Sequence, residues 1–156
     1  VFTSANEPNY PYGDENMDPQ NTLEKNAFLN HSQYCLAYVM SYRDYSQGTL
    51  GLAYVGTVCS VYQSNAKTQR SRNTGIVTFV NNGNTVPMHA SHLTLAHEVG
   101  HNFGSSHDTS NDCTPEGKDG KFIMYYSSNS GKDPNNKKFS RCSINNITTV
   151  ITVLIK

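Results

Sequence analysis

Residues 97 to 108 read HEVGHNFGSSHD, placing three histidines, one glutamate and a glycine at fixed intervals in a chain with six histidines in 156 residues. His97 and His101 are four apart. On a helix that spacing is about 400° of rotation, so both imidazoles point the same way and can offer nitrogens to one metal ion. Glu98 lies about 100° further round. From there it is poorly placed as a third ligand but can reach a water beside the ion. Gly104 stands where the helix must stop, and glycine permits the left-handed reversal that returns His107 to the same ion. Three neutral imidazoles leave zinc a fourth position for water, whose pKa falls to roughly 7. Glu98 could then take a proton and later pass it to a leaving amine. The expected chemistry is metal-assisted amide hydrolysis. It would use one Zn2+ on the Nε2 atoms of His97, His101 and His107, with Glu98 as general base. A purely structural zinc site would fill four protein ligands and would have no use for Glu98. With this composition H-E-x-x-H arises by chance with a probability of order 1%, and with the later Gly and His about 1 in 50,000. His31, His89 and His92 read as surface or cap residues.

The elements that must position these residues follow from periodicity. "NTLEKNAFLN" reads as a helix, with Asn21 and Glu24 spaced as a capping pair, although Pro19 permits a start one turn earlier behind Asp18. "YCLAYVMSY" (34–42), "LGLAYVGTV" (50–58) and "TGIVTFV" (74–80) read as three short strands, the last stopped by the turn signal "NNGN". "SVYQSNAKTQRSRN" (60–73) is unpatterned and reads as a surface excursion, and residues 1 to 20 as a loop. Leu93, Ala96, Gly100 and Phe103 share one face of a helix from about Ser91 to Phe103. Residues 104 to 141 are loop-rich. A last helix follows Cys142, with Ile144, Ile147, Ile151 and Leu154 at helical spacing and Ser143 as N-cap. The expected fold class is mixed α/β, with a mixed sheet over the histidine-bearing helix. One domain is expected over 1–156, divided into an upper part (1–104) and a small irregular lower part (105–156) that ends in a helix.

Composition narrows the function. Lys plus Arg and Asp plus Glu are 12 each, so net charge is zero and there is no basic run for nucleic acid. "ITTVITVLI" is too short to span a bilayer and holds three threonines. "VFTSANEP" has neither the charged nor the apolar region of a signal peptide and reads as an internal cut. None of the four cysteines, Cys35, Cys59, Cys113 and Cys142, forms a C-x-x-C pair, so a thiolate zinc site is not expected; four allow three disulfide connectivities. Asn30-His31-Ser32 and Asn146-Ile147-Thr148 are N-glycosylation sequons.

The HEVGHNFGSSHD stretch, with "FIMYY" downstream, resembles the catalytic domain of the ADAM metalloproteases (adamalysin-type metzincins), in which an Asp such as Asp108 follows the third histidine. "YCLAYV", "TLGLAYVG", "NTGIVTFVNNG", "CTPEG" and "NNKKFSRCSINNI" are similar to the membrane-anchored sheddase branch, nearest the kuzbanian or alpha-secretase type. The likeness runs from about residue 34 to 148. It implies a zinc endopeptidase at the cell surface or outside the cell, acting on extended polypeptides, among them membrane-protein ectodomains. Met124 would be the Met-turn residue beneath the histidines. Leu50 and Gly51 would contact the substrate backbone on an edge strand. Cys113 would pair with Cys142, while the family partners of Cys35 and Cys59 would lie outside the chain, leaving both unpaired unless they bond each other. In the family scheme the three strands are the third, fourth and fifth of five. The preceding third of the domain is then expected to lie outside this sequence, leaving the isolated chain poorly stable. The alternative is a non-cleaving ADAM-like binding module or an inactive fragment, but loss of Glu98 or a histidine, its expected mark, is not seen.

Overall fold

The computed structural model describes residues 18–60 and 70–154. The expected N-terminal loop (but for its last three residues) and most of the 60–73 excursion lie outside them. Helix α1 runs Pro19–Ala27, followed by β1 (Ala37–Ser41), a 3-10 turn at Ser46–Gly48, β2 (Gly51–Ala53) and β3 (Thr74–Thr78). A small hairpin, β4 (Val80–Asn81) and β5 (Asn84–Thr85), precedes α2 (Met88–Asn102), and α3 (Arg141–Leu154) closes the order.

The sheet is mixed, in the order β1-β3-β2. β1 is parallel to β3 with Val39 opposite Ile76, and β2 is antiparallel to β3 with Leu52 opposite Ile76. β3 is buried along its whole length, as a central strand must be. Because side chains alternate along a strand, the sheet has two distinct faces. Val39, Leu52 and Ile76 face α1 and pack with Leu23, Tyr45 and Tyr54. Tyr38, Gly75 and Gly51 face α2. Gly75 is required there because a Cβ would collide with the Tyr38 ring, which lies across it.

Local chemistry moves several boundaries from those expected. α1 starts behind Asp18, whose carboxylate accepts from the Asn21 N–H at 2.6 Å, with Pro19 in the first turn; Asn21 is not the cap. α2 starts at Met88, behind Pro87, three residues earlier than expected. α3 is capped by Ser140, whose Oγ accepts from the Ser143 N–H at 3.0 Å, so Ser143 lies inside the helix. The second strand is three residues long because the chain turns at Gly56 (φ +69°) onto the end of α2. There the Gly56 N–H donates to the His101 carbonyl and the Thr57 and Val58 N–H groups to that of Asn102, at 2.9–3.0 Å. Carbonyls at a helix C-terminus need such partners. The "NNGN" signal forms the β4–β5 turn, with Asn82 and Gly83 both at positive φ and their N–H groups held by the Asp44 carboxylate.

One buried side chain joins α2 to all three strands or their extensions. The Asn102 amide donates to the carbonyls of Tyr54 (2.9 Å) and Thr74 (3.2 Å) and to the Thr57 hydroxyl (3.1 Å), and its oxygen accepts from the Tyr38 hydroxyl. Two disulfides brace the chain. Cys113 bonds Cys142, with Cα atoms 6.2 Å apart, tying the first turn of α3 to the loop after His107. Cys35 bonds Cys59 rather than standing unpaired, and no described cysteine is free.

Non-reduced peptide mapping is expected to recover 35–59 and 113–142 links; a 35–113 or 59–142 link would contradict this topology. Asn102→Ala should destabilise the protein by about 2 kcal/mol or more in urea unfolding, because it strips partners from several buried groups at once.

Candidate metal centre

His97 and His101 project from the same face of α2, as their spacing requires. The helix ends in a Schellman motif: the Ser105 N–H donates to the Gly100 carbonyl at 3.0 Å, and the Gly104 N–H to that of His101 at 2.8 Å. Gly104 sits at φ +97°, and a Cβ on it would strike Val150 of α3. The reversal is therefore fixed by backbone conformation and by packing, and it returns His107 to the helix. The Nε2 atom of His107 lies 3.0 Å from that of His97 and 3.2 Å from that of His101.

The other ring nitrogens explain this convergence. His97 donates its Nδ1–H to the Ile123 carbonyl and His101 its Nδ1–H to the Ser105 carbonyl, both at 2.7 Å. Each neutral ring then presents a bare Nε2 lone pair to the centre. The His107 ring brings a third Nε2 to the same point, 3.0 and 3.2 Å from the other two. Ligand nitrogens about 2.0–2.1 Å from one zinc at tetrahedral angles would lie roughly 3.4 Å apart, close to the spacing here. The donor set thus fits a single small divalent ion. The rings are also kept neutral: burial pushes His97 down to about 4 and lowers His101 and His107. Among the described residues the other grouping of ligand-type side chains is Asp108 with Cys113 and Cys142, whose sulfurs are already bonded to each other.

Glu98 is buried and points between α2 and β2, and no other ionised group offsets the lost hydration. Burial pushes its carboxyl up to about 8. It lines a cavity of about 450 Å³ with His97, His101, His107, Leu50 and Gly51. The far wall is formed by Ile123 and residues 125–129. β2 pairs with β3 along one edge, and among the described residues no strand covers the other.

The floor is set by Met124, fully buried beneath the helix. A Cβ on Gly100 would lie 2.5 Å from its Sδ and 2.9 Å from Phe139 Cε1, so the glycine within HEVGH lets Met124 approach the backbone. Asp108 extends this support. Its N–H donates to the Met124 carbonyl, and its buried Oδ1 accepts from the hydroxyls of Ser140 (2.6 Å) and Ser143 (2.9 Å). The residue after His107 is thereby fastened to both the floor and the start of α3. Asn30 and Asn146 are exposed. His89 and His92 are exposed on α2, away from the three-histidine centre, and His31 bonds the Asn26 carbonyl. Tyr38, Asn102 and Gly100 were not singled out for the site from sequence, and their partners explain why: each acts on a residue distant in the chain.

The chain matches the reprolysin-like metallo-peptidase family M12B over residues 1–153. It belongs to that family. A relative, the disintegrin and metalloproteinase domain-containing protein 10 homolog of Caenorhabditis elegans, is 50% identical over 159 residues, covering 94% of this chain and 17% of its own length. The human disintegrin and metalloproteinase domain-containing protein 10 is 45% identical over 169 residues, covering 97% of this chain and 22% of its own length. The venom metalloproteinase atroxlysin-1 of Bothrops atrox is 30% identical over 99 residues, covering 64% of this chain and 43% of its own length. The sequence thus spans about a fifth of the first two relatives. The likeness to them extends well beyond the 34–148 stretch carried by the motifs. This is a metallopeptidase domain with a mixed α/β fold. No described helix is long and apolar enough to cross a membrane.

The buried carboxyl has a thermodynamic signature. Its folded pKa is raised from 4.5 to about 8, so its contribution is fully present below 4.5 and is lost as pH rises through 8. In metal-stripped protein, Glu98→Gln should therefore gain stability relative to the unaltered chain between pH 4.5 and 8, by up to a few kcal/mol in urea unfolding. A difference independent of pH would show that the carboxyl is not buried as described.

Proposed function

We propose that the domain is a zinc-dependent endopeptidase with His97, His101 and His107 as ligands and Glu98 as general base. The observation that carries this reading is the convergence of three imidazole nitrogens beside a buried carboxyl, in one cavity, under a strand edge that no described strand covers. When bound, zinc supplies the Lewis acidity that polarises a scissile carbonyl and makes water nucleophilic near neutral pH. Glu98 takes a proton from the attacking water and returns one to the amine nitrogen as the C–N bond breaks. Its burial suits both duties, since a carboxyl raised towards neutrality is a stronger base for the water proton and stays protonated until it donates to the amine.

The substrate would add as a strand to the outer edge of β2, its backbone running past Leu50 and Gly51. The Leu50 carbonyl already accepts from the Thr78 N–H at 2.9 Å, which holds that end of β2 against β3. Met124 and Gly104 shape the ligand set, and Asp108 with the Cys113–Cys142 bond holds the lower wall. Two disulfides suit an oxidising compartment, and the exposed Asn30 and Asn146 are free to carry glycans, in keeping with an extracellular or cell-surface site of action. Membrane-protein ectodomains are the proposed substrates, following the resemblance of the motifs to the sheddase branch.

Glu98→Gln is expected to lower hydrolysis of a quenched fluorescent peptide by about 10²–10⁴-fold or more, with one zinc per chain retained by elemental analysis. Near-normal turnover would end the general-base role. His101→Ala should lose both zinc and activity; retained stoichiometric zinc in that variant would remove His101 from the ligand set.

A further inference from the structure

The edge strand carries a glycine that neither its backbone nor strand addition requires. Gly51 is not among the glycines at positive φ, so its backbone would accept any residue. Pairing with an added strand uses its N–H and C=O, which every residue but proline supplies. What glycine alone provides is the missing side chain. A Cβ on Gly51 would lie 2.6 Å from Glu98 Oε1, 2.7 Å from Cγ and 2.9 Å from Cδ. Because Cγ is among these atoms, turning the carboxylate tip would not clear the collision. The side chain would have to leave the hollow from Cγ outward.

We infer that Gly51 is a positioning residue for Glu98: the hollow above it fixes where the base stands relative to the three imidazoles and the added strand. The inference rests on the peptidase reading proposed above. The geometry is reciprocal. α2 delivers Glu98 from a position whose neighbours His97 and His101 are both committed to the metal centre, so the helix cannot shift to accommodate a methyl group without moving ligands. The three nearest colliding atoms all belong to the Glu98 side chain, so that side chain is what the methyl group displaces. A displaced base leaves metal affinity and substrate-strand pairing intact but slows proton transfer. A displacement of about 1 Å in such a group typically costs about a hundredfold in rate.

The test is Gly51→Ala in the zinc-loaded domain with a quenched fluorescent peptide. The expected result is a kcat lower by about a hundredfold, a KM changed far less, and one zinc per chain. If Gly51→Ala fails to fold, the double variant Gly51→Ala/Glu98→Ala, which lacks every colliding atom, should fold with the thermal midpoint of Glu98→Ala. Three results would overturn the inference: wild-type turnover in Gly51→Ala, loss of zinc in step with activity, or a double variant as unstable as the single. Should the unaltered domain hydrolyse no peptide, the peptidase reading falls instead, and the double-variant comparison still decides whether Gly51 makes room for Glu98.

Discussion

Three converging imidazole Nε2 atoms, those of His97 and His101 lying 3.0 and 3.2 Å from that of His107, are the constraint on which the rest depends. The two helical rings, His97 and His101, are aimed at the centre by hydrogen bonds on their far sides. Those bonds come from carbonyls in two different places. Ser105 lies directly after the helix, whereas Ile123 belongs to a loop 26 residues downstream of His97. The loop-rich stretch is therefore part of the centre's rigidity. Met124 under Gly100, Asp108 on the α3 cap and the Cys113–Cys142 bond fix the height of the Ile123 carbonyl, and with it the tautomer of His97.

The sheet has the opposite task of holding the helix at the right depth. Asn102 does so with groups contributed by β1, β3 and the segment after β2, all within hydrogen-bond reach of one buried amide. Satisfied on every side, the amide suits a low-dielectric interior; left partly satisfied it would be costly. Tyr38 reaches it because Gly75 has no side chain. The same face that secures the helix also buries Glu98, so mechanical support and the raised carboxyl pKa have a common origin in the packing of α2 against a glycine-lined sheet.

The part of the site legible from sequence was the part encoded locally. His97, Glu98, His101, Gly104 and His107 sit within eleven residues, and helical rotation plus one reversal relates them. The three strands and three helices were legible because period and turn residues are local too. What escaped depended on partners far along the chain. Asn102 resembles any polar residue near a helix end until residues 38, 54 and 74 surround it. "AYVGTV" has strand composition, yet open carbonyls at the end of α2 draw Gly56, Thr57 and Val58 into capping instead. Ser143 looked like a cap since it precedes the apolar period, whereas Ser140, three residues earlier, has the geometry. The Cys35–Cys59 bond could not be read from spacing, because it depends on where the turn after β2 returns beside the start of β1, with the Cys59 N–H on the Cys35 carbonyl at 2.8 Å.

The Cys113–Cys142 bond spans a sequence separation of 29 that holds most of the loop under the centre. Exposed stretches within it, such as residues 126–128, are natural places for a nick. A single cut between the two cysteines opens the loop but leaves both pieces covalently joined. Ile123 and Met124 stay on one side, α3 on the other, and neither can diffuse away. A nick there would sever the chain while the Cys113–Cys142 bond kept the lower wall tethered to the centre.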